Sequence, residues 1–200
     1  MFIQLYLLTQ YIVATILLVI ILAMTLRLIF NYSDPNPFGS LGRFAAWLRE
    51  KTDSIVRPVA DWLAMGRFDK RLAPLITILL ACLVGYFFLQ AVGAATFTLD
   101  GIILSLSSGK ILAFVGYLLY GLLSFLSLAI FIRIILLWFL IYGNWFSRFL
   151  ARVTDPVLLP ARRLIPPLGG MIDISPIIVL VLIDLFQRAV LATLIVPGGG

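Results

Sequence analysis

Few side chains in this sequence could carry out chemistry, and those present are not spaced to act together. The 200 residues contain no histidine and a single cysteine, Cys82, which lies inside an apolar run. Without imidazole there is no His-ligated haem, no His-based metal site and no ready base for a nucleophile. Ser105, Ser107 and Ser108 cluster in a short connecting stretch, with no such base in the chain to activate them. One cysteine forms no intrachain disulfide. No Gly-rich phosphate loop, CxxC pair or HExxH motif is present. The reading is therefore that no residue is catalytic, that no metal or cofactor is held, and that the protein is not an enzyme.

What remains is charge in unusual places. Asp184 lies about ten residues into an apolar run, near the middle of a bilayer crossing, where a carboxylate is costly and is by default a functional candidate. Arg188 follows one turn later on the same helical face, so the simpler reading is an i,i+4 ion pair or an interhelical polar contact that fixes packing. An ion or proton role and a contact with a partner are the other readings. Arg27 and Arg133 stand near the ends of apolar runs and read as helix-end anchors that snorkel to the headgroups. Arg162 and Arg163 sit in a proline-rich stretch, after Pro156 and Pro160 and before Pro166, Pro167, Gly169 and Gly170. Asp155, followed by Pro156, suits a helix N-cap with proline at the first helical position. Pro160 should bend the chain, Pro166-Pro167 should end the helix, and Gly169-Gly170 permit a tight return. The expected result is a compact structural elbow that projects Arg162 and Arg163 into the headgroup layer.

These groups belong to a chain that is 62 % hydrophobic, with a mean hydropathy of +1.13. A soluble domain averages about 45–50 % apolar residues, so the excess defines an all-α, polytopic membrane protein. A hydrocarbon core of about 30 Å needs about 20 apolar helical residues. Four transmembrane helices are expected, over residues 5–29, 72–97, 111–133 and 174–196. The apolar character persists to Tyr142, and residues 134–142 are expected to tilt or bend along the membrane surface. The amino terminus has no positively charged leader and reads as a retained membrane helix.

The net charge of +6 is concentrated in two segments. Residues 31–71 carry Arg43, Arg49, Lys51, Arg57, Arg67, Lys70 and Arg71, and residues 143–173 carry Arg148, Arg152, Arg162 and Arg163. The middle loop, residues 98–110, has only Lys110. The positive-inside rule places both basic segments in the cytoplasm, with both termini and the middle loop on the opposite side. Each basic segment is amphipathic. Trp145, Phe146, Phe149, Leu150 and Val153 form one face, with Asn144, Arg148, Arg152 and Asp155 opposite. Leu41, Phe44, Ala45, Leu48, Ile55 and Val59 form a similar stripe. Such helices beside membrane spans lie in the interface. Arg148, Arg152, Arg162, Arg163, Trp145 and Phe149 are the expected contacts to anionic lipid or to a partner, and no nucleic-acid groove is implied.

The chain also reads as two parallel repeats, residues 1–98 and 99–200, each a span, an amphipathic basic segment (31–71 and 134–173) and a second span. A shift of 102 residues places Phe44 on Phe146, Leu48 on Leu150, Thr52-Asp53 on Thr154-Asp155, Pro58 on Pro160 and Pro74 on Pro176. Arg27 and Arg133 match at a slightly different offset. Asp184 falls on Cys82, so the intramembrane carboxylate is not duplicated. Two spans per copy return the chain to its starting side, unlike the inverted repeats of many transporters.

The run from Phe149 to Pro156, then Pro160 to Gly170, then Asp173-Ile174-Ser175-Pro176, resembles the YggT family of small integral membrane proteins. The resemblance is specific over about residues 130–191. It is weak in the first copy, where Ser54 replaces the proline after Asp53 and the Pro-Pro-Leu-Gly-Gly elbow is missing. What the resemblance implies is a bacterial or chloroplast membrane protein linked to cytochrome-complex biogenesis, membrane organisation and division, or osmotic tolerance, with no enzymatic activity. The functional expectation is a scaffold or assembly subunit of the cell's inner membrane, or of a thylakoid-type membrane, that holds another membrane complex or a second copy of itself. The alternative is a small transporter or channel component in ion or osmotic homeostasis.

Overall fold

The computed structural model describes residues 2–33, 36, 38–65, 68–138, 143–164 and 173–195, and these are helical with no strand. The helices are α1 (Ile3–Ser33), α2 (Ser40–Met65), a 3₁₀ turn (Lys70–Leu72), α3 (Ala73–Ser107), α4 (Ile111–Trp138), α5 (Trp145–Leu164) and α6 (Ser175–Val190), which runs on as a π-helical turn over Leu191–Ile195. Among the described residues four helices are long and apolar enough to cross a membrane: Ile3–Ser33, Lys70–Ser107, Ile111–Leu137 and Ser175–Ile195. Helix is the form these runs must take, because in lipid every backbone group has to be satisfied within the segment. The elements fall into two compact units, Leu8–Leu89 and Met1–Leu7 with Gln90–Gly200.

Two expectations are corrected, for the middle loop and for the elbow, and a third is met by a longer helix. The middle loop is mostly helix: α3 has 35 residues, about 52 Å at 1.5 Å per residue, and ends only at Ser107. The serines that looked like a loop cluster finish this helix. Ser105 Oγ donates to the Ile102 carbonyl (3.0 Å), and Ser107 and Ser108 donate to that of Leu104 (2.9 and 2.7 Å). Gly109, at φ 67°, closes it. Its N–H reaches the Leu106 carbonyl (3.3 Å), and the Lys110 N–H reaches that of Ser105 (3.0 Å). This pairing of the last carbonyls across a left-handed glycine is a Schellman cap. Secondly, α4 continues through residues 134–138 without leaving the helix; residues 139–142 lie outside the described residues.

Thirdly, the expected elbow is helical as far as it is described. Pro156 and Pro160 sit inside α5, as Pro58 sits inside α2, and Asp155 is a mid-helix residue and not an N-cap. The N-cap is Asn144, whose Oδ1 accepts the Ser147 N–H at 2.8 Å. Each proline removes one backbone donor and leaves the carbonyl four residues earlier unbonded. Both α5 prolines are exposed, so this gap opens away from the packed side, and the helix is kept by what its other face buries. Pro166, Pro167, Gly169 and Gly170 lie outside the described residues.

In the unit containing residues 90–200, α5 and α6 both pack on α4. Ile130, Leu158, Val179 and Ile183 form the buried centre, with Leu126, Ile134 and Ala161 around it. The end of α3 approaches α4 through small residues: a Cβ at Gly121 would meet Thr98 Cγ2 at 2.8 Å, and one at Gly101 would run into the Tyr117 ring. Such close approach is how membrane helices gain van der Waals contact where lipid is as apolar as they are. In the unit Leu8–Leu89, a Cβ at Gly85 of α3 would meet Leu17 of α1 at 2.8 Å. There α2 buries Ala45, Leu48, Thr52, Val56, Val59 and Leu63.

Candidate functional site: an arginine latch on each amphipathic helix

A threonine and an aspartate side by side near the middle of an amphipathic helix give an arginine two acceptors. In α5 the Thr154 hydroxyl donates to the Leu150 carbonyl one turn back (2.8 Å). Its proton is thereby committed, and its lone pairs face outward as an acceptor. Arg133 Nη1, from α4, donates to that oxygen (2.6 Å) and to Asp155 Oδ1 (2.6 Å). In α2 the Thr52 hydroxyl donates to the Leu48 carbonyl (2.6 Å). Arg27 of α1 donates from Nη1 to Thr52 Oγ1 (2.7 Å) and to the Arg49 carbonyl (3.2 Å), and from Nη2 to Asp53 Oδ1 (2.9 Å). In each unit an arginine bridges the same two acceptors, a threonine hydroxyl and the next aspartate, and Arg27 adds the Arg49 carbonyl. Each latch ties the end of a span to the middle of its amphipathic helix.

Arg27 and Arg133 are therefore not snorkelling anchors. Arg27 is only 9 % exposed, and each guanidinium has protein acceptors in place of headgroups. The planar fork of arginine suits such a site, since one side chain can bridge a hydroxyl and a carboxylate together. In the sequence Thr52 and Thr154 stand out only as markers of the repeat. The usable signal was a buried-face threonine directly before an aspartate, downstream of an arginine at a helix end.

The amphipathic faces are also sorted differently from the expectation. The buried stripe of α5 is Leu150, Thr154 and Leu158. Trp145, Arg148, Phe149 and Arg152 are all exposed and recur at three- and four-residue spacing, so they share the opposite, outward face. The Trp145 and Phe149 rings stack with centroids 6.1 Å apart. In α2, Leu41, Phe44 and Ile55 are likewise exposed while Ala45, Leu48 and Val59 are buried. Phe44 stacks on Trp47 at 5.8 Å and meets Phe30 of α1 edge-on at 6.0 Å. Small and branched aliphatics suit the close contact with the spans, which leaves the large aromatic rings outward beside the arginines.

The two arginines near the end of α5 take different roles. Arg162 Nε lies 2.7 Å from Asp173 Oδ2, and Asp173 Oδ1 also accepts the Ser175 N–H at the start of α6 (3.0 Å). Partial burial pushes the Asp173 carboxyl up, but hydrogen bonds from the Ser175 side chain and backbone, together with the Arg162 charge, outweigh it and hold the group below the ordinary aspartate value. Arg163 is exposed and, among the described residues, meets no carboxylate.

Asp184 and Arg188 form the expected i,i+4 pair, Arg188 Nε to Asp184 Oδ2 at 2.9 Å, with 51 % and 74 % of the side chains exposed. The packed side of α6 uses a different polar link, Gln187 Nε2 to Ser124 Oγ of α4 at 2.6 Å. Neither residue stands out in the sequence, because Gln187 sits beside Arg188 and Ser124 is one of several serines in an apolar run. No group of acidic, cysteine or histidine side chains able to hold a metal occurs among the described residues.

Four spanning helices, with two amphipathic helices latched to them, define a multi-pass α-helical membrane protein. A family model for CCB3/YggT matches residues 112–194, the segment that holds nearly all of α4, the whole of α5 and α6, and with them the Arg133 latch. The chain matches no curated protein and no solved structure.

Proposed function

We propose that the protein is a non-enzymatic membrane scaffold whose latched helices α2 and α5 lie on the cytoplasmic surface and hold anionic lipid and a partner membrane complex. The observation that carries this reading is the paired latch. It fixes an amphipathic helix to its span by a polar contact and turns a mixed aromatic and basic face outward. On α5 that face is Trp145, Arg148, Phe149 and Arg152, all exposed. Aromatic rings with flanking arginines suit the headgroup layer and equally a protein docked there. The recurrence of Arg–Thr–Asp in both units supports an internal duplication, with the first copy as a second, divergent platform. Asp184 is bonded to Arg188 and half exposed, an arrangement that suits a contact better than a conducting path.

The test is affinity purification in mild detergent of the wild-type protein and of a variant carrying Trp145→Ala, Arg148→Gln, Phe149→Ala and Arg152→Gln. A membrane complex should co-purify with the wild type and be depleted several-fold with the variant, while both insert equally. A wild-type protein that runs alone contradicts the scaffold reading.

A further inference from the structure

The outward face of α6 carries a seam at heptad spacing: Ile177, Val181, Asp184 and Arg188, separated by four, three and four residues. All four are at least half exposed: Ile177 57 % and Val181 55 %, Asp184 51 % and Arg188 74 %. The residues α6 buries, Pro176, Val179, Ile183 and Val190, lie on the other side of the helix. Asp184 and Arg188 are about 14 Å and 20 Å past Ser175 at 1.5 Å per residue, within a span of 21 residues. Both therefore stand in the hydrocarbon region. Their mutual bond uses one nitrogen of the guanidinium and one oxygen of the carboxylate. Four arginine donors and the second carboxylate oxygen remain, and lipid tails satisfy neither.

We infer that this seam binds the same seam of a second copy, giving a parallel α6–α6 pair in which each Arg188 reaches Asp184 of its neighbour. Several observations favour a second copy over another occupant. An acid and a base one turn apart are self-complementary, so a two-fold pairing supplies each charge with its opposite and yields a neutral cluster of four. Copies inserted in one membrane share an orientation and bring these residues to the same depth. Helical side chains lean toward the helix amino terminus, so Arg188 inclines to the level of Asp184 on its own helix and on a parallel neighbour. The 4-3-4 spacing is the one that keeps a seam facing its partner along a left-handed pair. Ile177 and Val181 supply its apolar half.

The experiment is oxidative cross-linking in native membranes of single-cysteine variants in a Cys82→Ala background. Val181→Cys should give a disulfide-linked homodimer at least tenfold more abundant than Leu182→Cys, which is also exposed but off the seam. Adding Arg188→Glu should cut the Val181→Cys cross-link tenfold or more. The exchanged pair Asp184→Arg with Arg188→Glu should restore it, which separates charge pairing from failure to fold. Equal cross-linking at positions 181 and 182, a product of Val181→Cys with another protein, or a cross-link indifferent to Arg188→Glu would each overturn the inference.

Discussion

Thr154 can accept from Arg133 because its own proton is held by the Leu150 carbonyl, and the structural role of the latch rests on that single orientation. Thr154→Val keeps the shape and removes the acceptor. Arg133 keeps Asp155 but loses a hydrogen bond made by a charged group, worth about 1.5–3 kcal/mol, so the melting temperature in detergent should fall by several degrees, and Thr154→Ser should lose much less. Asp173 gives a pH-dependent counterpart. Its folded pKa lies below the ordinary value, so its contribution is complete above the unfolded aspartate pKa of about 3.9 and is lost as pH falls through that value toward the lower folded one. Wild type should therefore lose more thermal stability than Asp173→Asn when melting is followed from about pH 5 downward through that range. Equal slopes would deny the Arg162–Asp173–Ser175 arrangement. At this scale the sequence was half legible. The Arg, Thr and Asp residues could all be picked out, but a buried guanidinium and a snorkelling one have the same spacing on paper. What decides between them is the neighbouring helix.

At the scale of elements, hydropathy located the spans because lipid admits only helices there, whereas breaks read from proline and serine misled. A proline interior to a helix costs about 3 kcal/mol, and Pro156 and Pro160 would ordinarily mark an end. Burial of Leu150, Thr154 and Leu158 along one stripe offsets that cost, and stripe burial depends on α4 and α6, which are distant in sequence. The α3 terminus is a similar case: its serines bond back into the helix, and the real stop is Gly109. The most demanding helix contact is Gly101 against Tyr117, a ring already packed on Phe97 at 5.2 Å. Gly101→Ala should destabilise the protein by about 1–3 kcal/mol through overpacking, although alanine is the better helix former. A melting temperature at or above wild type would mean that Tyr117 can turn aside.

For the whole molecule, Thr-Asp at one offset stands out in the sequence, and in the structure both Thr-Asp pairs accept an arginine from the preceding span. The family match covers residues 112–194, so the first latch lies outside it. Charge distribution adds a topology. Single cysteines near Lys51 and Arg163, in a Cys82→Ala background, should be labelled from the cytoplasmic side only, and one at Ser107 from the opposite side; the reverse pattern inverts the orientation. The account as a whole depends on the latch fastening α5 to its span. Its most direct test is amide hydrogen exchange over residues 145–164 in wild type and in Arg133→Gln. With the latch removed, α5 should exchange at least tenfold faster while α4 keeps its protection, whereas unchanged protection of α5 would contradict the account.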